Sequence, residues 1–336
     1  MVGFYQQATE QRVKKFRNLG VQALAFWDLK PIAELELLSY RENVVYKLIT
    51  GDGDYALKIH RAGYHSNEEL RSERIWMEAL SEYGFATPEI IRTRQGDPFA
   101  IVESEDVPDP CQVDIVRWIN GTPLNEVAEK NSQLDMHRYV GELMARLHNH
   151  TSQWIPPEDF TRFSWDDDGL LGENPIWGRF WELEYLSHTQ RETILKTRDV
   201  AKAQLQAFGQ TKDRYGLIHC DLLPQNLLKD EETVRIIDFD DCGYGWHMFD
   251  IATYMFLYTF EANPEEVKRA FIEGYRRQRD LSEEQLQSYD LFMLIRVMTY
   301  CGWVYTRPEA ETAQENAETL AAVVANAAEV YLTNNQ

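Results

Sequence analysis

HCDLLPQN at residues 219–226, followed by IIDFD at 236–240, is the stretch on which the reading of this chain turns. Asp221 precedes Asn226 by five positions, and Asp238 follows Asn226 by twelve. The apolar run TVRII (233–237) reads as a strand that delivers Asp238. The order supplies one carboxylate to accept a hydroxyl proton and one amide oxygen for a hard cation. It also supplies a second carboxylate to bridge that cation and phosphate oxygens. Each residue alone is commonplace, because Asp and Asn favour turns. The ordered triple with its flanking strands fits phosphoryl transfer.

Upstream, Tyr55-Ala56-Leu57-Lys58-Ile59 reads as a strand whose lysine points at phosphates, the place of V-A-I-K in kinases. Glu73 follows fifteen residues later, inside a helix predicted from Ser66 or Asn67 to the Gly84 stop. It is positioned to pair with Lys58 and hold it extended, with Glu68, Glu69 and Glu78 as competitors. The catalytic stretch itself matches H-R-D-x-x-x-x-N plus D-F-G, with Cys220 at the Arg position and Asp240 at the Gly position.

Around these motifs the chain changes texture near residue 120. Residues 4–27 read as an amphipathic helix, with Val13, Phe16, Leu19 and Ala23 at helical spacing. ELELLSY, NVVYKLIT and DYALKIHR read as strands, with TGDGD as a hairpin turn; PEIIRT, PFAIVES and CQVDIVRWI read as three more. After Gly121 the apolar period becomes helical in 135–151, 175–208, 264–278 and 282–305, and an Ala-rich helix ends the chain. One strand pair, GLIHCDLLPQNLLKD with TVRIIDFDD, interrupts the helices. The expected class is α+β and bilobal: a small β-rich lobe over 1–116 and a helical lobe over 117–336, with ligands between lobes.

Composition narrows the partners. Lys and Arg number 34 against 55 Asp and Glu, a net charge of −21. That sign is wrong for non-specific nucleic-acid binding or an anionic membrane surface. No secretory h-region or membrane-length apolar run is present, since Arg296 interrupts LFMLIRVMTYCGWVY. Four scattered cysteines without a CxxC pair suit a reducing cytoplasm. Cys220 and Cys242 flank the proposed site and read as small buried fillers rather than redox sensors. His148 and His150, two apart on a helix, do not face one another and read as helix-end histidines, not a metal pair. Gly51-Asp52-Gly53 is hairpin chemistry, no P-loop occurs, and no G-x-S-x-G elbow points to a hydrolase.

These motifs resemble those of the aminoglycoside phosphotransferase and choline kinase superfamily, which has the protein-kinase-like fold. The nearest likeness is to its homoserine-kinase-type-II and stress-response-kinase-A-like branch. GELMARLHNHT (141–151) resembles the family helix ending in L-A-x-L-H, and RWINGTPL (117–124) its hinge. HCDLLPQNLL and IIDFDDCGYGWHMFDIATY (236–254) resemble its catalytic and metal loops. The likeness spans about residues 30–305 and implies ATP and Mg2+ as cofactors. It implies Asp221 as the base, Asn226 and Asp238 as magnesium ligands, and Lys58 on the phosphates, steadied by Glu73. Hinge main-chain groups around Ile115, Val116, Arg117 and Trp118 would hold adenine. His219 would brace the metal loop, and Asp250 would anchor the catalytic loop from below. The nucleotide turn, Ser39 to Tyr46, departs from G-x-G-x-x-G in having no glycine, which leaves Ser39, Asn43 and backbone amides as phosphate contacts.

The acceptor is read from charge. Segments 103–114 and 156–173 each carry −5, and the second lies amid Trp154, Trp165, Trp177 and Trp181. Carboxylates beside aromatic faces suit a cationic amine or amino alcohol. Solvated loops over an aromatic core would give the same pattern. Asp240, Asp241, Tyr244, Trp246, Trp165 and Asp166 are the acceptor-site candidates. Three functions follow: a kinase of an amine-bearing small molecule, a Ser/Thr protein kinase of the stress-response type, or an idle nucleotide-binding module.

Overall fold

The computed structural model describes residues 4, 7–30, 32–41, 43–127, 133–230, 233–259, 262–307 and 311–335. It divides into two compact units: Met1–Pro123 with Pro157–Thr161 and Leu228–Ile237, and Leu124–Pro156 with Arg162–Leu227 and Asp238–Gln336. The division therefore falls later than residue 116, and two later segments return to the first unit.

The first unit is built on an antiparallel sheet of β1 (Ile32–Tyr40), β2 (Val44–Thr50), β3 (Gly53–Ile59), β4 (Ala100–Ser104) and β5 (Val107–Arg117), ordered β1-β2-β3-β5-β4. Period-2 alternation buries Tyr55, Leu57 and Ile59 of β3 on one face. Helix α1 (Thr9–Ala23) buries Phe16, Leu19, Gly20 and Ala23 in the same core. Helix α2 (Asn67–Glu82) starts at a Ser66–Glu69 capping box, which satisfies two orphan N–H groups, and stops before Gly84 at φ +98°. PEIIRT makes a single bridge, Ile90 to Val116, and no strand. The Thr93 N–H turns back to the Asp97 carbonyl, so the segment leaves β5 before a ladder can extend.

In the second unit, α3 (Gln133–Gln153) crosses α7 (Pro264–Arg276) at two glycines. A Cβ on Gly141 would lie 2.1 Å from the Phe271 carbonyl oxygen, and one on Gly274 would lie 1.9 Å from that of Arg138. Only hydrogen fits at either position, and this closeness brings His148 against Tyr275. Between these helices the chain forms β7 (Ser164–Trp165), α4 (Asp167–Leu171), α5 (His188–Phe208) and β8 (Tyr215–Ile218). The helical spacing over 175–208 materialises only from His188. Gly178 takes φ +99°, Phe180–Glu182 forms one 3-10 turn, and Ser187 caps α5 with Gln190.

The expected strand pair splits. Strands β9 (Leu227–Asp230) and β10 (Thr233–Ile236) form a hairpin beside β6 (Thr122–Pro123). GLI instead pairs, as β8, with β11 (Gly243–Trp246), and β7 lies on the other side of β11. The sequence reading had no strand at GYGW. Helices α6 (His247–Phe256), α7, α8 (Glu283–Gln287), α9 (Tyr289–Thr306) and α10 (Glu311–Asn334) complete the unit. No helix among the described residues is long and apolar enough to cross a membrane.

Candidate active site

Strand β8 ends at Ile218 and delivers the catalytic loop. Cys220 adopts φ +66°, a left-handed conformation that costs a non-glycine residue of order 1 kcal/mol or more and needs outside support. Asp250, fully buried on α6, gives that support. Its Oδ1 accepts from the Cys220 N–H at 2.8 Å and its Oδ2 from the His219 N–H at 3.2 Å. His148 lies 3.2 Å from the same Oδ2 and 2.8 Å from the Tyr275 hydroxyl, with the His247 ring stacked on it at 4.2 Å. A carboxylate only accepts, so His148 donates from Nε2 and accepts from Tyr275 at Nδ1. Burial pushes the Asp250 carboxyl up, against the opposing pull of His219, two backbone donors and Arg296. Burial, and then the Arg279 charge, push His148 well down, so it is neutral at pH 7. His148 is thus a buried brace of the catalytic loop and not a loose helix end. The Cys220 thiol is pushed well up, chiefly by burial, and is inert as a nucleophile at neutral pH.

Asp221 stands at the mouth of this loop with its side chain 22% exposed. The Asn226 amide nitrogen donates to both the Asp221 carbonyl and Oδ2, each at 2.8 Å. That commits the nitrogen inward and leaves the amide oxygen as the atom suited to a hard cation. Asp238 is exposed and also left-handed, at φ +62°. The two non-glycine residues with positive φ among those described therefore sit one in each of the two loops that the motif defined. Exposed carboxylate and amide oxygens are the donor set Mg2+ takes.

The metal loop is held by residues that sequence reasoning missed. Arg162 Nε donates to the Cys242 carbonyl at 2.6 Å, and its Nη2 donates to the Asp240 carbonyl. The Trp165 indole donates to the Asp241 carbonyl at 2.8 Å. Phe239 packs its ring 4.7 Å from that of His219, which ties one loop to the other. In the sequence Arg162 is only the lone base of an acidic segment, and that isolation was the available signal.

On the first unit, Lys58 lies opposite Asp114 in the β3–β5 register. Asp114 is buried, 2.7 Å from Arg74 Nη2 and hydrogen-bonded to His60. Burial alone would push its carboxyl up. Arg74, the His60 bond and charge, and Lys58 outweigh burial and hold it below the usual range. Arg74 also reaches Glu73 at 3.3 Å. Of the four glutamates that compete for Lys58, Glu73 alone is buried; Glu69 serves the cap and Glu78 pairs with Arg92. Ser39 sits past a β-bulge, opposite Val45. The Asn43 side chain accepts from the Arg61 N–H at 3.0 Å, so it orders the turn. Glu42 of this turn lies outside the described residues. Of the hinge, the Ile115 carbonyl accepts from Ile91, and the Arg117 and Trp118 N–H groups donate to Glu89 and Asp54. Val116 bridges Ile90.

Several acceptor candidates serve the fold. Trp246 is buried against Tyr215 and Phe292 and donates to the Gly209 carbonyl. Trp165 is buried, and Asp166 caps α4 by accepting from the Asp168 and Gly169 N–H groups. The neighbouring acids reach bases and amides on α5: Asp168 with Lys202, Glu173 with Arg198, and Asp167 with Gln206. Asp240 is buried, whereas Asp241 and Tyr244 are partly exposed.

The described geometry sets the two motif loops on one scaffold, with Asp221 and Asn226 on one and Asp238 on the other. Residues 35–286 match the family model described as "Phosphotransferase enzyme family", and the chain belongs to that family. It is a kinase with an α+β protein-kinase-like fold. The chain resembles a structure titled microcompartment-associated aminopropanol kinase at 30% identity and a TM-score of 0.84, covering 95% of this chain and 98% of that one. It is 24% identical to amicoumacin kinase of Bacillus subtilis (strain 168), over 86% of this chain and 85% of that protein. The solved amicoumacin kinase hAmiN, in complex with AMP-PNP, Ca2+ and Ami, aligns with a TM-score of 0.77 at 20% identity, covering 95% of this chain and 96% of that one.

Proposed function

We propose that the protein is an ATP- and Mg2+-dependent kinase that phosphorylates a hydroxyl of a small, amine-bearing metabolite. The observation that carries this reading is Asp221, partly exposed, fixed by Asn226, on a loop whose backbone Asp250 clamps. Asp221 accepts the hydroxyl proton of the acceptor. The Asn226 oxygen and the Asp238 carboxylate hold Mg2+, which when bound neutralises phosphate charge. Lys58 contacts the phosphates, with Glu73 and Arg74 ordering its surroundings. Ser39 and the backbone of its turn border the nucleotide. Adenine lies along the hinge around Ile115, Val116, Arg117 and Trp118, where the N–H groups of Arg117 and Trp118 are already bonded within the unit.

Asp241 and Tyr244, partly exposed beside the metal loop, give the acceptor's ammonium group a carboxylate and an aromatic face. The net charge of −21 favours a cation over an anion in the encounter. The aminopropanol and amicoumacin kinases among the similar proteins support an amine-bearing acceptor. A screen with Mg-ATP tests this, using 1-amino-2-propanol, ethanolamine, choline, homoserine, aminoglycosides and casein as acceptors. Phosphorylation of at least one amino alcohol is expected; labelling of casein alone would replace a small acceptor with a protein. Asp221→Asn should lower turnover by about 10²–10⁴-fold while Mg-ATP binding persists. Undiminished turnover removes Asp221 from its role.

A further inference from the structure

Three arginines are buried in the second unit, Arg162, Arg296 and Arg307, and the first two stand beside the candidate loops, 5% and 2% exposed. Their surroundings differ in kind. Arg162 gives its guanidinium to the carbonyls of Cys242 and Asp240. Arg296, on α9, has no hydrogen-bond partner among the described residues for either Nε or Nη1. Its Nη2 lies 3.8 Å from Asp221 Oδ1, and its guanidinium covers the Trp177 ring at 4.9 Å. A buried charge with few hydrogen bonds is costly, and Arg296 differs from Arg162, which donates to two carbonyls. Among the described residues, the carboxylate in ion-pair range of Arg296 is Asp221, the proposed base.

We propose that Arg296 is a positioning residue, whose buried charge orients the Asp221 carboxylate and balances it. The inference rests on Asp221 being the base. The guanidinium acts on Oδ1 by charge, at 3.8 Å, while Asn226 holds Oδ2 by a hydrogen bond at 2.8 Å, so both oxygens feel a donor group before the acceptor arrives. It also covers a face of Trp177, which is thereby closed to an acceptor ammonium. Other groups share its field. Asp250 feels Arg296 across the loop, and Cys220 lies among Asp241, Arg296, Asp250 and Asp221. The His219 ring accepts from the Asp221 N–H at 3.4 Å.

The test compares Arg296→Met and Arg296→Lys in the full chain, following ADP formation with Mg-ATP and 1-amino-2-propanol from pH 5 to 9. Arg296→Met should lower kcat about 10- to 100-fold and leave KM for ATP within about threefold. Arg296→Lys should recover most of the rate. In the Asp221→Asn background, Arg296→Met should cost less than about threefold, because the carboxylate it positions is gone. Failure of Arg296→Lys to recover the rate, or equal losses with and without Asp221, overturns the proposal.

A second readout needs no acceptor. Asp221→Asn strands a buried guanidinium, so adding Arg296→Met should raise the thermal midpoint by about 2–4 °C. Additive midpoints overturn the pairing. Absence of ADP formation by the wild type defeats the choice of acceptor and leaves the thermal comparison to decide on Arg296.

Discussion

Aspartates 221, 238 and 250 and aspartates 166, 167 and 168 are the same residue type in one unit, yet they do different work. In the first group Asp250 is buried under a histidine and two backbone donors, and it holds Cys220 in a conformation the residue would not take alone. Asp221 and Asp238 are then left reaching outward from loops that are fixed behind them. In the second group Asp166 caps a short helix, and Asp167 and Asp168 reach Gln206 and Lys202 on the surface. A carboxylate proposed for chemistry here has a fixed backbone and keeps some exposure, as Asp221 and Asp238 do. One whose oxygens already serve a cap or a surface pair is committed.

The comparison breaks first at Asp250. Asp250→Ala leaves two buried N–H groups and His148 without their acceptor. It should cost about 3–5 kcal/mol in denaturant unfolding, with activity lost alongside. Asp238→Asn, at an exposed left-handed position that Asn also tolerates, should change stability by no more than about 0.5 kcal/mol while strongly lowering Mg2+-dependent turnover. Equal destabilisation by both substitutions would erase the distinction between support and ligand.

A smaller effect is expected from pH. Burial lowers the folded-state affinity of His148 and His247 for protons well below the ordinary histidine value, and pushes His137 down to about 4. For a group with a depressed folded pKa, the unfolded chain takes up the proton first. Stability is therefore full above about pH 6.5 and is lost as pH falls below it, by up to about 1.4 kcal/mol per pH unit per histidine. Asp250, pushed up, works in the opposite sense from about pH 4 upward. Thermal midpoints between pH 7.5 and 5.5 should fall, and the slope should lessen in His137→Gln. A flat profile would mean these rings are charged in the folded protein. The smallest effect belongs to the second group: Asp168→Asn should shift stability by about 0.5 kcal/mol or less and leave the acceptor KM unchanged. A raised KM would return that segment to the acceptor site.

Much of the site was legible because phosphoryl transfer needs particular atoms in a particular chain order. Asp221, Asn226 and Asp238 could be named from spacing, and Ser66 and Gly84 marked the ends of α2 because caps are local chemistry. Local signals misled where backbone pairing is nonlocal. GLI and TVRI look like partners in sequence, but each pairs in a different sheet. Residues 175–187 carry helical spacing, but Gly178 and the packing of Trp177 and Phe180 use them otherwise.

The sequence by itself determined the family and the kinase class, and its spacing proposed an order of reacting groups. Charge, side-chain chemistry and short-range spacing are properties of the chain. The tertiary structure decided which carboxylates keep some exposure and which are buried or used in caps. It assigned His148, Arg162 and Trp165 to hold the two loops, and it set Arg296 beside the base across 75 residues of chain. Burial and hydrogen-bond saturation, which decide those roles, exist only once distant segments have packed.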